Sequence, residues 1–260
     1  MNNIGIIGCG VVGGSIYNAF KRVINIVRYD KYNSLYENFD PILSTDAVFL
    51  AVPTPFNQDS NEIDLSALKE SLHKLNSKCY KGIVIIKSTV PPLTMERLVA
   101  EYKHLTLCYN PEFLRERTAS EDFISQKVVV ISSDFMDGNT YKEIKDLYKR
   151  ILDENAEYYW FSFREAEMLK ISQNTILASR VAVANIVYDA CEELGVNYDK
   201  IKQVGFDKFE VIGQHMTQVP GPDGNRGFGG KCLPKDIAGF NSIFKSEVIE
   251  EIINYNKTKI

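Results

Sequence analysis

The sequence is poor in several features that would mark a protein class. Its five cysteines (Cys9, Cys79, Cys108, Cys191, Cys232) are an odd number without the close spacing of a zinc site or a disulfide framework, which suits a reducing compartment. No stretch approaches the ~20 consecutive apolar residues of a membrane span. The N-terminal apolar stretch runs into glycines after a few residues, so no signal peptide is expected and the expected location is cytoplasmic. A basic excess is missing too: 30 basic and 34 acidic side chains are spread along the chain, giving a net charge of -4. That excludes a basic stripe for nucleic acid or an anionic membrane, and leaves small anionic ligands held at local sites. Repeats and low-complexity tracts are absent.

What is present is a globular composition, 45% hydrophobic and 25% charged over 260 residues, enough to bury a core and expected to form two domains, 1–161 and 162–260. In the first, the apolar runs NIGIIG, INIVRYD, AVFLAVP, GIVIIKS, LTLCYNP and KVVVIS alternate with helical or polar segments. Alternation of this kind predicts an α/β fold, a Rossmann-like, doubly wound parallel sheet with ligands beyond the carboxyl ends of its strands. From about Ser162 a helical pattern runs to Gly195, its expected stop, opening a helical central domain in which one long helix links lobes or spans a dimer. A Gly/Pro-rich loop, a short helix from Pro234 and a last helical run follow.

The first strand empties into GCGVVGG, where Gly8, Gly10 and Gly13 have the spacing of a dinucleotide-binding turn. About twenty residues further on, Asp30 ends the second strand, placed to accept hydrogen bonds from ribose hydroxyls and to repel a 2′-phosphate; NAD is therefore expected rather than NADP. The pyrophosphate is expected on the helix N-terminus, at the amides around Val11 and Val12. Two other strand ends carry small polar residues with prolines, Val52, Pro53 and Thr54 in one and Ser88 and Thr89 in the other, as cofactor-side loops or as ordinary punctuation.

Glu112 and Glu116 stand one helical turn apart, so in a helix both carboxylates face one way, either as a general base with its partner or as a solvated acidic face balanced by Arg115 and Arg117. Lys170 and Asn174 are an i, i+4 pair, able to stabilise an oxyanion or simply a lysine at the surface. In GFGGKCLPKD, glycines give close backbone approach and Pro-Lys-Asp reads as a first helical turn. Cys232 then sits near a helix N-terminus and Lys235, conditions that favour thiolate, or is a small buried cysteine after a turn. No metal site is expected.

Together, GCGVVGG, VPTP, STVPP, NPEFLRE, the Lys170 to Asn174 spacing and GFGGKCLPKD, in this order, resemble the UDP-glucose/GDP-mannose dehydrogenase family from about Asn3 to the end of the sequence. The resemblance implies an NAD-dependent, four-electron oxidation of the primary alcohol of a nucleotide sugar, a UDP-sugar by expectation, through a thiohemiacetal and thioester on Cys232. It implies that Lys170 and Asn174 stabilise the oxygen of the reacting carbon and that Asp236 handles protons through a water. Glu112 is expected to activate the hydrolytic water, Thr89 and Glu116 to lie near the nicotinamide, and Lys235 near the cofactor. Glu112, Phe113, Leu114, Lys170, Asn174, Phe228, Gly229 and Gly230 are expected at the sugar. A homodimer through the long helix is implied.

Leu93 and Arg117 stand where the family pattern has glycine, Val211 to Gly213 (VIG) replaces an arginine-glycine pair, and the loop before Gly227 is longer. Family members carry a further α/β domain that grips the nucleotide diphosphate, whereas this sequence ends at Ile260. The expectations are that a separate chain supplies that domain, that the VPGPDGNR loop with Arg226 contacts the diphosphate, that the substrate is smaller, or that the sequence is a truncated piece. The rival readings are a two-electron hydroxyacid dehydrogenase and a silent NAD-binding subunit.

Overall fold

A computed structural model describes residues 1–133, 138–209 and 218–260. In chain order the elements are β1 (Asn3–Ile7), α1 (Val11–Phe20), β2 (Asn25–Tyr29), β3 (Ala47–Leu50), the two-residue strands β4 (Phe56–Asn57) and β5 (Glu62–Ile63), α2 (Ser66–Ser77) and β6 (Ile83–Ile86). Then come α3 (Thr94–Glu101), β7 (Thr106–Tyr109), α4 (Ala119–Ser125), β8 (Val128–Ser132), α5 (Gly138–Tyr148) and β9 (Glu157–Phe161). The helices α6 (Phe163–Leu194), α7 (Tyr198–Ile201), α8 (Leu233–Phe244) and α9 (Glu247–Lys257) complete the chain. Two compact units result, Met1–Thr54 with Asp64–Lys170, and Pro55–Ile63 with Ile171–Ile260.

The first unit is a seven-stranded sheet in the order β2-β1-β3-β6-β7-β8-β9. Its central strands read as continuous apolar runs because both faces are covered, as parallel strands under crossover helices require. Alternate residues point to opposite faces: Val48, Leu50, Val84 and Ile86 enter one core cluster with α2 and α3, and Ala47, Phe49, Ile83 and Ile85 enter the other with Ile16 and Phe20 of α1. Two features depart from the sequence reading. The sheet is mixed rather than wholly parallel: β8 runs antiparallel to β7, touching it at the single pair Tyr109 and Ser132, while its five-residue register is set by β9. Strand β9 (EYYWF) is an edge strand exposed along much of its length; its aromatic run YYWF has the composition of a strand but is not among the runs named from the sequence.

The second unit is mainly helical. Gly195 ends α6 in the left-handed region (φ +67°), with the Val196 N–H returning to the Cys191 carbonyl at 2.9 Å, so the expected stop is where the sequence placed it. Ser246 caps α9, its hydroxyl accepting the Ile249 N–H. The β4–β5 hairpin belongs to this unit, where a Cβ at Gly239 of α8 would come within 2.7 Å of Ile63 Cδ1; the glycine is required by that close approach. Ala178, Ala182, Phe228 and Ile237 form its core with the apolar face of α9. Among the described residues no helix is long and apolar enough to cross a membrane.

Candidate functional site

In the first unit the carboxyl ends of the strands gather a dinucleotide-binding turn. The Gly8 N–H donates to the Tyr29 carbonyl at 2.9 Å, tying the turn after β1 to the end of β2. Asp30 is oriented by backbone donors, Cys9 N–H on Oδ2 at 2.7 Å and Tyr32 N–H on Oδ1 at 2.9 Å. Each carboxylate oxygen has two lone pairs, so each keeps one for a ligand hydroxyl. The turn's glycines differ in what they allow: a Cβ at Gly8 or Gly13 would collide with backbone, whereas one at Gly10 or Gly14 would meet no heavy atom within 4 Å. Gly8 and Gly13 are packing requirements. Gly10 and Gly14, with Val11 between them, instead line a cavity of about 270 Å³ at the N-terminus of α1. That opening fits the pyrophosphate of a dinucleotide, which backbone amides at a helix N-terminus bind well.

Hydroxyls at the next strand ends are spent on bracing. Thr54 Oγ1 donates to the Thr89 carbonyl at 2.8 Å and Ser88 Oγ to the Val52 carbonyl at 2.7 Å, cross-tying the loops after β3 and β6. Of the loop residues named from sequence, Val52 and Pro53 therefore offer backbone, and the buried Thr89 keeps its hydroxyl out of these braces.

The NPEFLRE segment is not helical up to Arg115, so Glu112 and Glu116 do not form the helical pair that spacing allowed. Asn110 precedes a proline, which disfavours the α region and keeps the chain extended. Glu112 is buried, not part of a solvated acidic face: Oε2 accepts the Leu114 N–H at 2.7 Å and Oε1 lies 3.6 Å from Lys170 Nζ. Lys170 is itself 2% exposed, which removes the surface-lysine alternative, and its ammonium stands 5.4 Å from the Phe113 ring centre. Arg115 pairs with Asp122 at 2.7 Å instead of with either glutamate. Glu116 is exposed and lines the cavity at α1.

Two buried charges here escaped the sequence reading. Lys87 donates to Asn110 Oδ1 at 3.0 Å and to the Tyr148 hydroxyl at 3.4 Å, and burial pulls its amine down to about 7 against the opposing effect of Glu112. Glu167 of α6 spans the loop after β6, accepting the N–H of Leu93 on Oε2 at 2.8 Å and of Met95 on Oε1 at 2.6 Å. It thus caps α3 from a distant helix. Burial raises its carboxyl to about 7 although these backbone donors work the other way. A lysine closing the run GIVIIK was the signal available for Lys87; Glu167 had none.

The second unit holds the cysteine turn. Cys232 is the residue before α8, Pro234 lies in the first turn, and the Asp236 N–H donates to the Cys232 carbonyl at 2.9 Å. Asp236 is fully buried; Asn174 Nδ2 donates to its Oδ2, and Lys235 Nζ lies 3.3 Å from its Oδ1. The glycine approach is fixed by α9: the Phe228 N–H donates to Asn256 Oδ1 at 2.7 Å and Asn256 Nδ2 to the Phe228 carbonyl at 3.0 Å. A Cβ at Gly229 would meet only Asp223 Oδ2, at 3.7 Å, among the described residues, and Gly230 has φ +76°, where a side chain would be strained. Arg226 of the long loop is engaged by Asp189, which also receives the Tyr255 hydroxyl at 2.6 Å and Lys259 at 2.7 Å.

The two glycine replacements noted in the sequence behave differently. Leu93 takes the left-handed conformation (φ +69°), while Arg117 sits in a short 3-10 turn, Glu116–Thr118, that any residue adopts. Val211 to Gly213 lie outside the described residues.

The profile of the UDP-glucose/GDP-mannose dehydrogenase family matches with its NAD binding domain at residues 23–152 and its central domain at residues 164–258. UDP-glucose 6-dehydrogenase of Rickettsia bellii is 34% identical over 244 residues, covering 88% of this chain and 52% of that protein. The enzyme of the same name from Haloferax volcanii is 31% identical over 230 residues, covering 82% and 51%. A solved UDP-glucose dehydrogenase from the hyperthermophilic archaeon Pyrobaculum islandicum, 28% identical, superposes with a TM-score of 0.84 over 99% of this chain and 68% of that one. The chain spans about half the length of the curated relatives it matches.

Proposed function

The chain belongs to the UDP-glucose/GDP-mannose dehydrogenase family, and from that premise we propose that it carries out NAD-dependent oxidation of the primary alcohol of a nucleotide sugar, of the UDP-glucose type, to the carboxylate. The observation that carries this reading is Cys232 at the head of α8, one turn before the buried Asp236 that Asn174 holds. Bound NAD supplies a hydride acceptor, used twice per sugar.

The thiol of Cys232 adds to the aldehyde made by the first oxidation, forming a C–S bond and a thiohemiacetal that keeps the half-oxidised sugar on the chain. Surrender of a second hydride from the same carbon leaves a thioester. Water attacks it, the C–S bond breaks, and the carboxylate leaves as the thiol is restored. The sum is one alcohol, one water and two NAD⁺ giving one carboxylate, two NADH and three protons. Lys170 and Asn174 stabilise the oxygen of the reacting carbon, Asp236 passes protons through a water, and Glu112 activates the hydrolytic water, its carboxylate steered by Lys170 at 3.6 Å. Thr89 and Glu116 flank the nicotinamide, Lys235 the cofactor, and Phe113, Leu114, Phe228, Gly229 and Gly230 the sugar. The half-length match makes the nucleotide grip a separate question: it comes from another chain or from residues beyond these, or the substrate is smaller.

A homodimer through α6 is part of the proposal. Ile176, Val183 and Ile186 recur at helical spacing and are 61%, 53% and 49% exposed, an apolar stripe suited to a second copy. The test of function is incubation with NAD and UDP-sugars, GDP-mannose or small hydroxyacids while absorbance follows NADH. Two equivalents per sugar are expected. One equivalent supports a two-electron dehydrogenase, and none with any substrate supports a silent NAD-binding subunit.

A further inference from the structure

The cavity at the N-terminus of α1 is closed on its far side by the turn that leads into α4. Gly10, Val11 and Gly14 form one wall; Glu116, Arg117 and Glu121 are among the residues of the other. Two carboxylates lining the cavity, Glu116 and Glu121, oppose an anion, so a dinucleotide entering there needs a compensating cation. Among the described residues Arg117 is the only basic one lining it. Its neighbour Arg115 is held by Asp122 through two guanidinium nitrogens, at 3.0 and 2.7 Å, whereas no carboxylate partner for Arg117 is found among the described residues. One of two arginines in the same turn is thus fixed and the other is exposed at the cavity.

We propose that Arg117 is a cofactor-binding residue whose guanidinium engages the pyrophosphate of NAD opposite the amides of Gly10 and Val11. Backbone donors at the start of α1 contact one side of the diphosphate, and Arg117 contacts the other with the paired N–H geometry that suits phosphate oxygens. Asp30 selects the ribose and Arg117 strengthens the hold on the diphosphate. The inference rests on the assignment of this unit as an NAD binding domain.

The test is calorimetric titration of NADH and ADP-ribose into the full chain and its Arg117→Ala and Arg117→Lys variants at low and high KCl, with thermal melts as a folding control. Arg117→Ala is expected to weaken both ligands about tenfold, with Arg117→Lys in between because it keeps the charge without the fork. Salt is expected to weaken binding more for the unaltered chain than for Arg117→Ala, because a charge contact near solvent is screened. Affinities for Arg117→Ala within about twofold of the unaltered chain overturn the inference, as does weakening that leaves the salt dependence unchanged, since the loss is then not of a charge contact. An unaltered chain that binds neither NADH nor ADP-ribose overturns the NAD assignment and this inference together; an affected salt dependence confined to Arg117 variants upholds both.

Discussion

The cofactor edge of the first unit and the cysteine turn of the second are built by different means. At the cofactor edge, polar side chains act on backbone: Thr54 on the Thr89 carbonyl, Ser88 on that of Val52, Glu167 on the amides of Leu93 and Met95. At the cysteine turn the chemistry-bearing groups act on each other, Asn174 and Lys235 converging on the carboxylate of Asp236. A frame whose braces end on backbone fixes loop shape and leaves amides and glycines to meet a ligand. A cluster whose members pair with one another instead orients reactive side chains, here with Asp236 Oδ1 facing Lys235 but hydrogen-bonded to no described group. The first suits holding a cofactor, and the second suits changing a substrate.

If that division is right, removing groups from the cysteine turn should damage chemistry with the fold intact, and removing groups from the first unit should damage binding or stability, with turnover lost as well at Glu112 and Lys170. Cys232→Ala is expected to reduce turnover by about a thousandfold or more while NADH affinity, measured by titration, is retained. Glu112→Ala leaves the Lys170 ammonium buried without its carboxylate and is expected to cost about 3 kcal/mol in urea unfolding, the range for breaking a buried pair from one side.

Glu167 sharpens the contrast through pH. Its carboxyl is raised from 4.5 to about 7, so the fold holds its proton more tightly than the unfolded chain. That contribution is complete below pH 4.5 and is lost as pH rises to about 7. Melting temperatures of Glu167→Gln and of the unaltered chain are therefore expected to shift in favour of the variant across this window. A difference constant with pH would mean that the carboxyl titrates alike folded and unfolded. The smallest effect is expected at Leu93, whose left-handed backbone suits glycine: Leu93→Gly should stabilise by about 1 kcal/mol, raising Tm by ~2–4 °C.

Legibility in the sequence followed the range of the interaction. Strand runs, the glycine turn with Asp30, the stop at Gly195 and the helix start after Cys232 were readable because each is decided within one turn or one strand. The direction of β8 was not, since it meets β7 at one residue pair and takes its register from β9, and β9 was missed although its aromatic run YYWF has a strand's composition. Spacing alone suggested a helical Glu112–Glu116 pair, but the proline after Asn110 kept the chain extended and sent one carboxylate inward and the other to the cavity. Glu167 with Leu93 and Lys87 with Tyr148 join residues 74 and 61 positions apart, beyond any local pattern.

The most direct test of the central claim is mass spectrometry of the chain acid-quenched during turnover with NAD and its sugar substrate. The account expects the peptide containing Cys232 to carry the mass of the oxidised sugar as a thioester, only when NAD is present. Steady turnover with Cys232 unmodified and fully open to alkylation, and undiminished in Cys232→Ala, would contradict it.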